Sequence, residues 1–118
     1  MFPINIEHKF SLFDDTWRPR IVAEFNDNYI KVVKLKGEFI WHEHRNEDEM
    51  FLVIKGRLMI RLKDQDVVLG EGEFFVVPKG VSHLPVAEEE VWVVLVEPKT
   101  TISTGDRHDD RKVEPEWI

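Results

Sequence analysis

The chain has 118 residues, enough for one domain with an adequate core but not a generous one. Acidic residues outnumber basic ones, 23 to 16, giving a formal net charge of −7. That balance argues against a nucleic-acid backbone or an anionic membrane surface as the main partner. Cysteine is absent, so there is neither a disulfide framework nor a thiol nucleophile, and a cytoplasmic location is compatible with this composition.

The first residues, Met1 to Glu7, lack the basic region and apolar core of a secretory signal. No apolar run approaches the ~20 residues that span a bilayer. Glu7 to Phe13 fits either a helical turn or a strand. From Tyr29 onward strand signals dominate. Tyr29 to Leu35 is β-branched with interleaved lysines, and Phe39 to His44 runs into the polar break Arg45-Asn46-Glu47-Asp48. Glu49 to Ile54 ends at Lys55-Gly56, and Arg57 to Lys63 alternates, with Leu58, Ile60 and Leu62 on one face. Val67 to Leu69 is a short strand, and Phe74 to Val77 stops at Pro78-Lys79-Gly80. His83 to Val86 and Val91 to Glu97 read as two strands separated by Glu88-Glu89-Glu90.

Turns recur roughly every ten residues, the rhythm of an all-β sandwich or barrel. The barrel core spans about residues 20–97 of a single domain covering 1–118, and the polar residues 98–118 form an extended tail. Several strands are apolar on both faces. With Glu49, Phe51 and Val53 inward, Met50, Leu52 and Ile54 face outward, and Phe74 with Val76 and Trp92 with Val94 repeat the pattern. Such strands are covered on both sides. The N-terminal segment, the tail or a second subunit can supply the cover, and a homodimer is the favoured reading.

One constellation carries chemistry. On an extended segment alternate side chains share a face, so His42 and His44 point together while Trp41 and Glu43 point away. Glu49 opens the following strand, and His83 follows the Pro78-Lys79-Gly80 turn that aims its strand back. Three imidazoles and a carboxylate form an N₃O set suited to one divalent transition metal: Zn, Fe, Mn, Ni or Cu. His8 and His108 lie outside this pattern and read as solvated, as do Glu47-Asp48 and Glu88 to Glu90. Phe51, Val53, Leu58, Ile60, Phe75 and Val77 read as barrel filling, and Trp17, Trp92 and Trp117 as packing or interface. The face of Tyr29, the single tyrosine, is not set, and no second acid or base is placed beside the ligands.

These residues also resemble a small single-domain cupin over about residues 29–97. The chain has His42-x-His44, four residues, Glu49, six residues, Gly56, and then Gly72, five residues, Pro78-x-Gly80, two residues, His83. It departs from the cupin pattern twice. Four residues rather than five separate Gly37 from His42, and Ala87 stands where the pattern has Asn. Neither is a ligand position in that pattern. The resemblance implies a small double-stranded β-helix, or jelly-roll barrel, with the metal held by His42, His44, Glu49 and His83. The expected activity is a metal-dependent reaction on a small molecule: isomerase, lyase or cyclase chemistry on a sugar or keto acid, or dioxygenase chemistry. A non-catalytic module that binds or senses a small ligand is the second expectation, and a storage protein the third.

Overall fold

The computed structural model describes residues 1–118. One helical turn, α1 (Ile6–Phe10), precedes β1 (Arg20–Phe25), β2 (Asn28–Glu38), β3 (Glu49–Lys55), β4 (Leu58–Leu62), β5 (Asp66–Leu69), β6 (Phe74–Val77), β7 (His83–Pro98) and β8 (Glu116–Trp117). The fold is all-β, as expected. No helix is long and apolar enough to cross a membrane.

Strand β7 organises the barrel. Along one edge it pairs antiparallel with β2, from Asn28↔Pro98 to Glu38↔Val86. Its other edge is divided: His83 to Val86 pair with β4, and Trp92 to Val96 pair with β3. β4 carries β5 and β3 carries β6, so the two halves curl toward each other around a shared lumen. The lumen is filled by Val33, Leu35, Phe51, Val53, Leu58, Ile60, Val77, Val91 and Val93 among others. The residues expected to fill the barrel therefore do so, with Phe75 half-buried at the margin.

Two sequence expectations change. Glu88 to Glu90 do not separate two strands: they are exposed, but they lie within β7. Pairing runs from Leu35↔Val91 to Gly37↔Ala87, so four steps on β7 face two on β2, and a bulge absorbs the difference. Phe39 to His44 is not a strand either. β2 ends at Glu38, and beyond it only His42 pairs, in an isolated bridge with His83. Finally, Arg20 to Phe25, which shows little alternation, forms β1 against β2 with an irregularity between Ile21 and Ala23.

The chain itself covers much of the outer apolar face. Asn5 caps α1 by accepting from the His8 N–H at 2.8 Å. A helix of five residues has no stability of its own, and burial of Phe10 holds it. Phe10 is fully buried and stacks on Trp92 at 4.9 Å, within a cluster that includes Val22, Val32 and Val94. Leu52, Ile54 and Ile118 pack on the same cluster. The Lys34 ammonium donates to the Phe13 carbonyl at 2.7 Å and lies 5.0 Å from the Phe13 and Trp92 rings, securing the segment after the helix. The Lys9 ammonium donates to the Ile118 carbonyl at 2.7 Å, so both chain ends meet on this face. Phe74 and Val76 remain exposed.

The tail is more structured than an extended strap. β8 lies parallel to β1, and residues 101–107 form successive turns. At Asp106 the tail docks on the histidine segment: the Asp106 N–H donates to the Glu43 carbonyl, and the Glu43 N–H donates to the Asp106 carboxylate, both at 3.0 Å. Gly105 permits this approach. Its φ is +59°, and a Cβ there would overlap the Glu43 carbonyl oxygen.

Two outcomes test this arrangement. Phe10→Ala should lower stability in chemical denaturation by about 3–5 kcal/mol; a loss below about 1 kcal/mol would show that α1 opens independently of the barrel. Gly105→Ala should undock the tail, speeding tryptic cleavage at Arg107 and Arg111 and amide exchange at Glu43. Unchanged protection at both places would mean that the clamp does not hold the tail.

Candidate metal centre and its cavity

His42, His44, Glu49 and His83 come together, with one ligand atom from each lying within 4.8 Å of the others. All four are buried, at 4%, 3%, 7% and 0% exposure. The bridge between His42 and His83 sets the first half of the group. Each N–H donates to the other carbonyl, at 3.1 and 2.9 Å, which fixes both backbones side by side and their rings 4.3 Å apart. His44 turns to the same side, its ring 5.0 Å from that of His42. Its carbonyl accepts from the Gly80 N–H at 2.8 Å, tying it to the Pro78–Gly80 turn. Glu49 begins β3 opposite Val77 and reaches the group from the neighbouring strand.

Local hydrogen bonds choose the free nitrogens. His42 Nδ1–H donates to the Ile40 carbonyl at 2.8 Å, and His83 Nδ1–H donates to the Val81 carbonyl at 2.9 Å. Each Nε2 is left with its lone pair toward the cluster, the tautomer that a metal-binding imidazole requires. Glu49 Oε1 lies 3.4 Å from His44 Nε2 and 3.3 Å from His83 Nε2.

Burial and charge set the protonation states. Burial, followed by the charge of His83, pushes His42 down to about 4, so it is neutral at physiological pH. Burial also works to lower His44, but Glu49 outweighs it and holds the imidazole above its usual value. Burial works to raise Glu49, yet the neighbouring Glu97, His44 and His83 side chains favour its ionised form and hold it well below the usual carboxylate range.

Four buried polar atoms in the group have no hydrogen-bond partner: both nitrogens of His44, Glu49 Oε1 and His83 Nε2. Leaving such atoms unpaired costs about 1–3 kcal/mol each. A divalent cation bound by three imidazoles and a carboxylate would satisfy the inward-facing ones together, so the donor set fits the metal that the sequence implies.

His42 and Glu49 also line a cavity of about 60 Å³. Trp17 and Phe39 form one wall, stacked at 4.9 Å, with the Trp17 indole N–H donating to the Lys36 carbonyl at 2.8 Å. Trp17 thus belongs to the cavity as well as to packing. Thr101, Ser103, Val113 and Pro115 close the cavity from the tail. Trp41 faces away, with the Lys63 ammonium 4.2 Å over its ring, as its parity predicts. Tyr29 lies edge-on to Trp117 and does not line the cavity.

The sequence reading missed two charged groups. Lys31 and Glu97 line the cavity, are each 3% exposed, and pair at 2.7 Å. Burial, then the negative charge of Glu49, pushes Glu97 well above the usual carboxylate range. Parity could have found both. Lys31 shares its face with Val33 and Leu35, and Glu97 shares its face with Val91, Val93 and Leu95.

Comparison with known proteins gives the relationship. The family described as the cupin domain matches residues 30–99. A cupin-2 domain containing protein from Shewanella frigidimarina superposes with a TM-score of 0.80 at 50% identity, over 81% of this chain and 94% of that one. Protein NMB1881 from Neisseria meningitidis superposes with a TM-score of 0.76 at 30% identity, over 83% of this chain and all of that one. Among curated sequences, the uncharacterized protein YdbB of Bacillus subtilis (strain 168) is 36% identical over 63 residues, covering 52% of this chain and 56% of that protein. The matched region contains the long β2 and β7 strands, the histidine segment and Glu49, and on this ground the chain belongs to the cupin family.

Proposed function

We propose that this cupin binds one divalent transition metal through His42, His44, Glu49 and His83 and acts on a small molecule held in the adjoining cavity. One observation carries the reading: three of the four candidate ligands, His44, Glu49 and His83, carry buried polar atoms without partners, and they converge where a cavity reaches the cluster. A buried polar group of this kind is out of place in a purely structural core. When bound, the metal supplies Lewis-acid polarisation of a substrate oxygen. The chain supplies the rest. His42 and His83 hold their lone pairs in place through the Ile40 and Val81 carbonyls, while Trp17 and Phe39 exclude water from one side. Lys31 and Glu97 provide the charged groups for orienting a substrate. Isomerase, lyase or cyclase chemistry on a sugar or keto acid suits Zn, Mn or Ni in such a site, and dioxygenase chemistry suits Fe or Cu.

Elemental analysis of the protein as isolated, followed by loading of the stripped protein with each metal, tests this reading. Saturation at about a hundred times Kd should raise Tm by roughly 10 °C, and His44→Ala should abolish the rise. Equal Tm in stripped and loaded protein would refute the metal site. Full metal uptake with no turnover of any sugar, keto acid or related small molecule would favour the non-catalytic binding module instead.

We also propose that the chain forms a homodimer. The outer face covered by α1 and Ile118 no longer needs a partner, so support for the dimer rests on β6. That strand pairs only with β3 and exposes Phe74 (63%) and Val76 (42%). Light scattering should give twice the chain mass at micromolar concentration, falling to the chain mass in Phe74→Lys. A monomeric wild type would overturn the proposal.

A further inference from the structure

The cavity holds two polar atoms that the metal ligands do not account for. Glu97 is 3% exposed; its Oε1 accepts from the Lys31 ammonium at 2.7 Å, and no protein donor reaches its Oε2, while its carboxyl lies within hydrogen-bond reach of the Glu49 carboxyl. Thr101 Oγ1 is buried and likewise unpartnered. Both residues line the same cavity as His42 and Glu49. Glu97 also lies next to Glu49, so whatever occupies the space beside Glu97 is adjacent to the metal ligands.

We propose that Lys31, Glu97 and Thr101 form a hydroxyl-binding subsite, which selects small substrates carrying a hydroxyl beside the oxygen that faces His42 and Glu49. The chemistry of the groups narrows the class. A carboxylate or phosphate placed here would meet the Glu97 and Glu49 carboxyls, and Lys31 is already committed to Glu97. An apolar group would leave Oε2 and Oγ1 unpaired at a cost. A hydroxyl both donates and accepts, so it serves Glu97 Oε2 whether or not that carboxyl carries a proton, and it serves Thr101 equally. The Trp17 and Phe39 wall then takes the carbon skeleton. This subsite deepens the proposed function and rests on the reading of the cavity as a small-molecule site.

The test uses zinc-loaded full-length protein and two matched pairs of probes, glycolate against acetate and hydroxyacetone against acetone, titrated by NMR. The hydroxyl should tighten binding by at least about tenfold in the wild type, the value of a hydrogen bond to a charged group. In Lys31→Met/Glu97→Met, saturated with zinc as judged by elemental analysis, most of that preference should vanish. Replacing a buried ion pair by apolar side chains of similar volume is tolerated, and the small preference that remains reports chelation at the metal alone. Thr101→Val, which keeps its shape, should lower the preference by about threefold to tenfold, and it decides the matter if the double variant does not fold. An equal preference in wild type and variants overturns the subsite, as does failure of all four compounds to bind, since the cavity then holds only water. Failure of the wild type to take up zinc would instead overturn the metal reading, so the two failures are distinguishable.

Discussion

Fold and site both depend on the sixteen-residue strand β7, because its two ends converge beside Glu49 in one lumen. At its start, the paired backbones of His83 and His42 bring two imidazoles together. At its finish, Glu97 stands on the same face as Val91, Val93 and Leu95 and enters the lumen beside Lys31. Between them the strand changes partner from β4 to β3. The bulge at Glu88 to Glu90 sits at that change, where β7 has no partner on its second edge, and it lets three carboxylates stay in solvent while the inner face resumes at Val91. A regular strand would have kept strict alternation through the change of partner. The bulge bends the strand and re-aims its second half.

The polar groups that β7 delivers are costly to bury. Lys31 and Glu97 lie in an otherwise apolar lumen, and an ion pair there is worth no more to stability than apolar side chains of the same volume. Its partner-less oxygen adds a further cost. The lumen has apolar solutions at these positions, since Val33 and Leu95, two residues away on the same strand faces, are apolar. The pair is therefore better explained by what it does in the cavity than by what it adds to the core. The orphaned atoms of His44, Glu49 and His83 follow the same logic.

Much of this was legible in the chain, for identifiable reasons. β4 alternates, β3, β5 and β6 are short apolar runs, and all end at turn residues, so their extents were readable within a residue or two. His42, His44, Glu49 and His83 were identifiable because spacing and strand parity are local quantities. Two things were not local. The isolated bridge at His42 depends on pairing with a residue forty-one positions away, so the segment resembled a strand without being one. Glu88 to Glu90 carry the composition of a turn, and only the two-against-four register with β2 keeps them in a strand. Lys31 was passed over because a lysine among β-branched residues has the signature of a solvent face, although its parity with Val33 and Leu35 points inward. The cover of the outer face by Phe10 could not be assigned either, because a single helical turn has too short a period to declare which face it buries.

The two ends of the site come from different parts of the chain, and this separates what the family relationship can say from what it cannot. The region matched to the cupin domain, residues 30–99, contains all four candidate ligands together with Lys31 and Glu97. Six further lining residues of the cavity lie outside it. Trp17 and Pro19 precede the matched region, and Thr101, Ser103, Val113 and Pro115 follow it. These outer residues are held by contacts particular to the ends of this chain: the Trp17 N–H on the Lys36 carbonyl, the Gly105–Asp106 turn on Glu43, and β8 on β1. The cupin barrel thus positions the candidate ligands and the buried pair, while the ends of the chain complete the cavity wall beside them. Under the proposed function, a change at Trp17, Thr101 or their neighbours would reshape the cavity without touching the four candidate ligands, so selectivity is to be sought there rather than in the histidines.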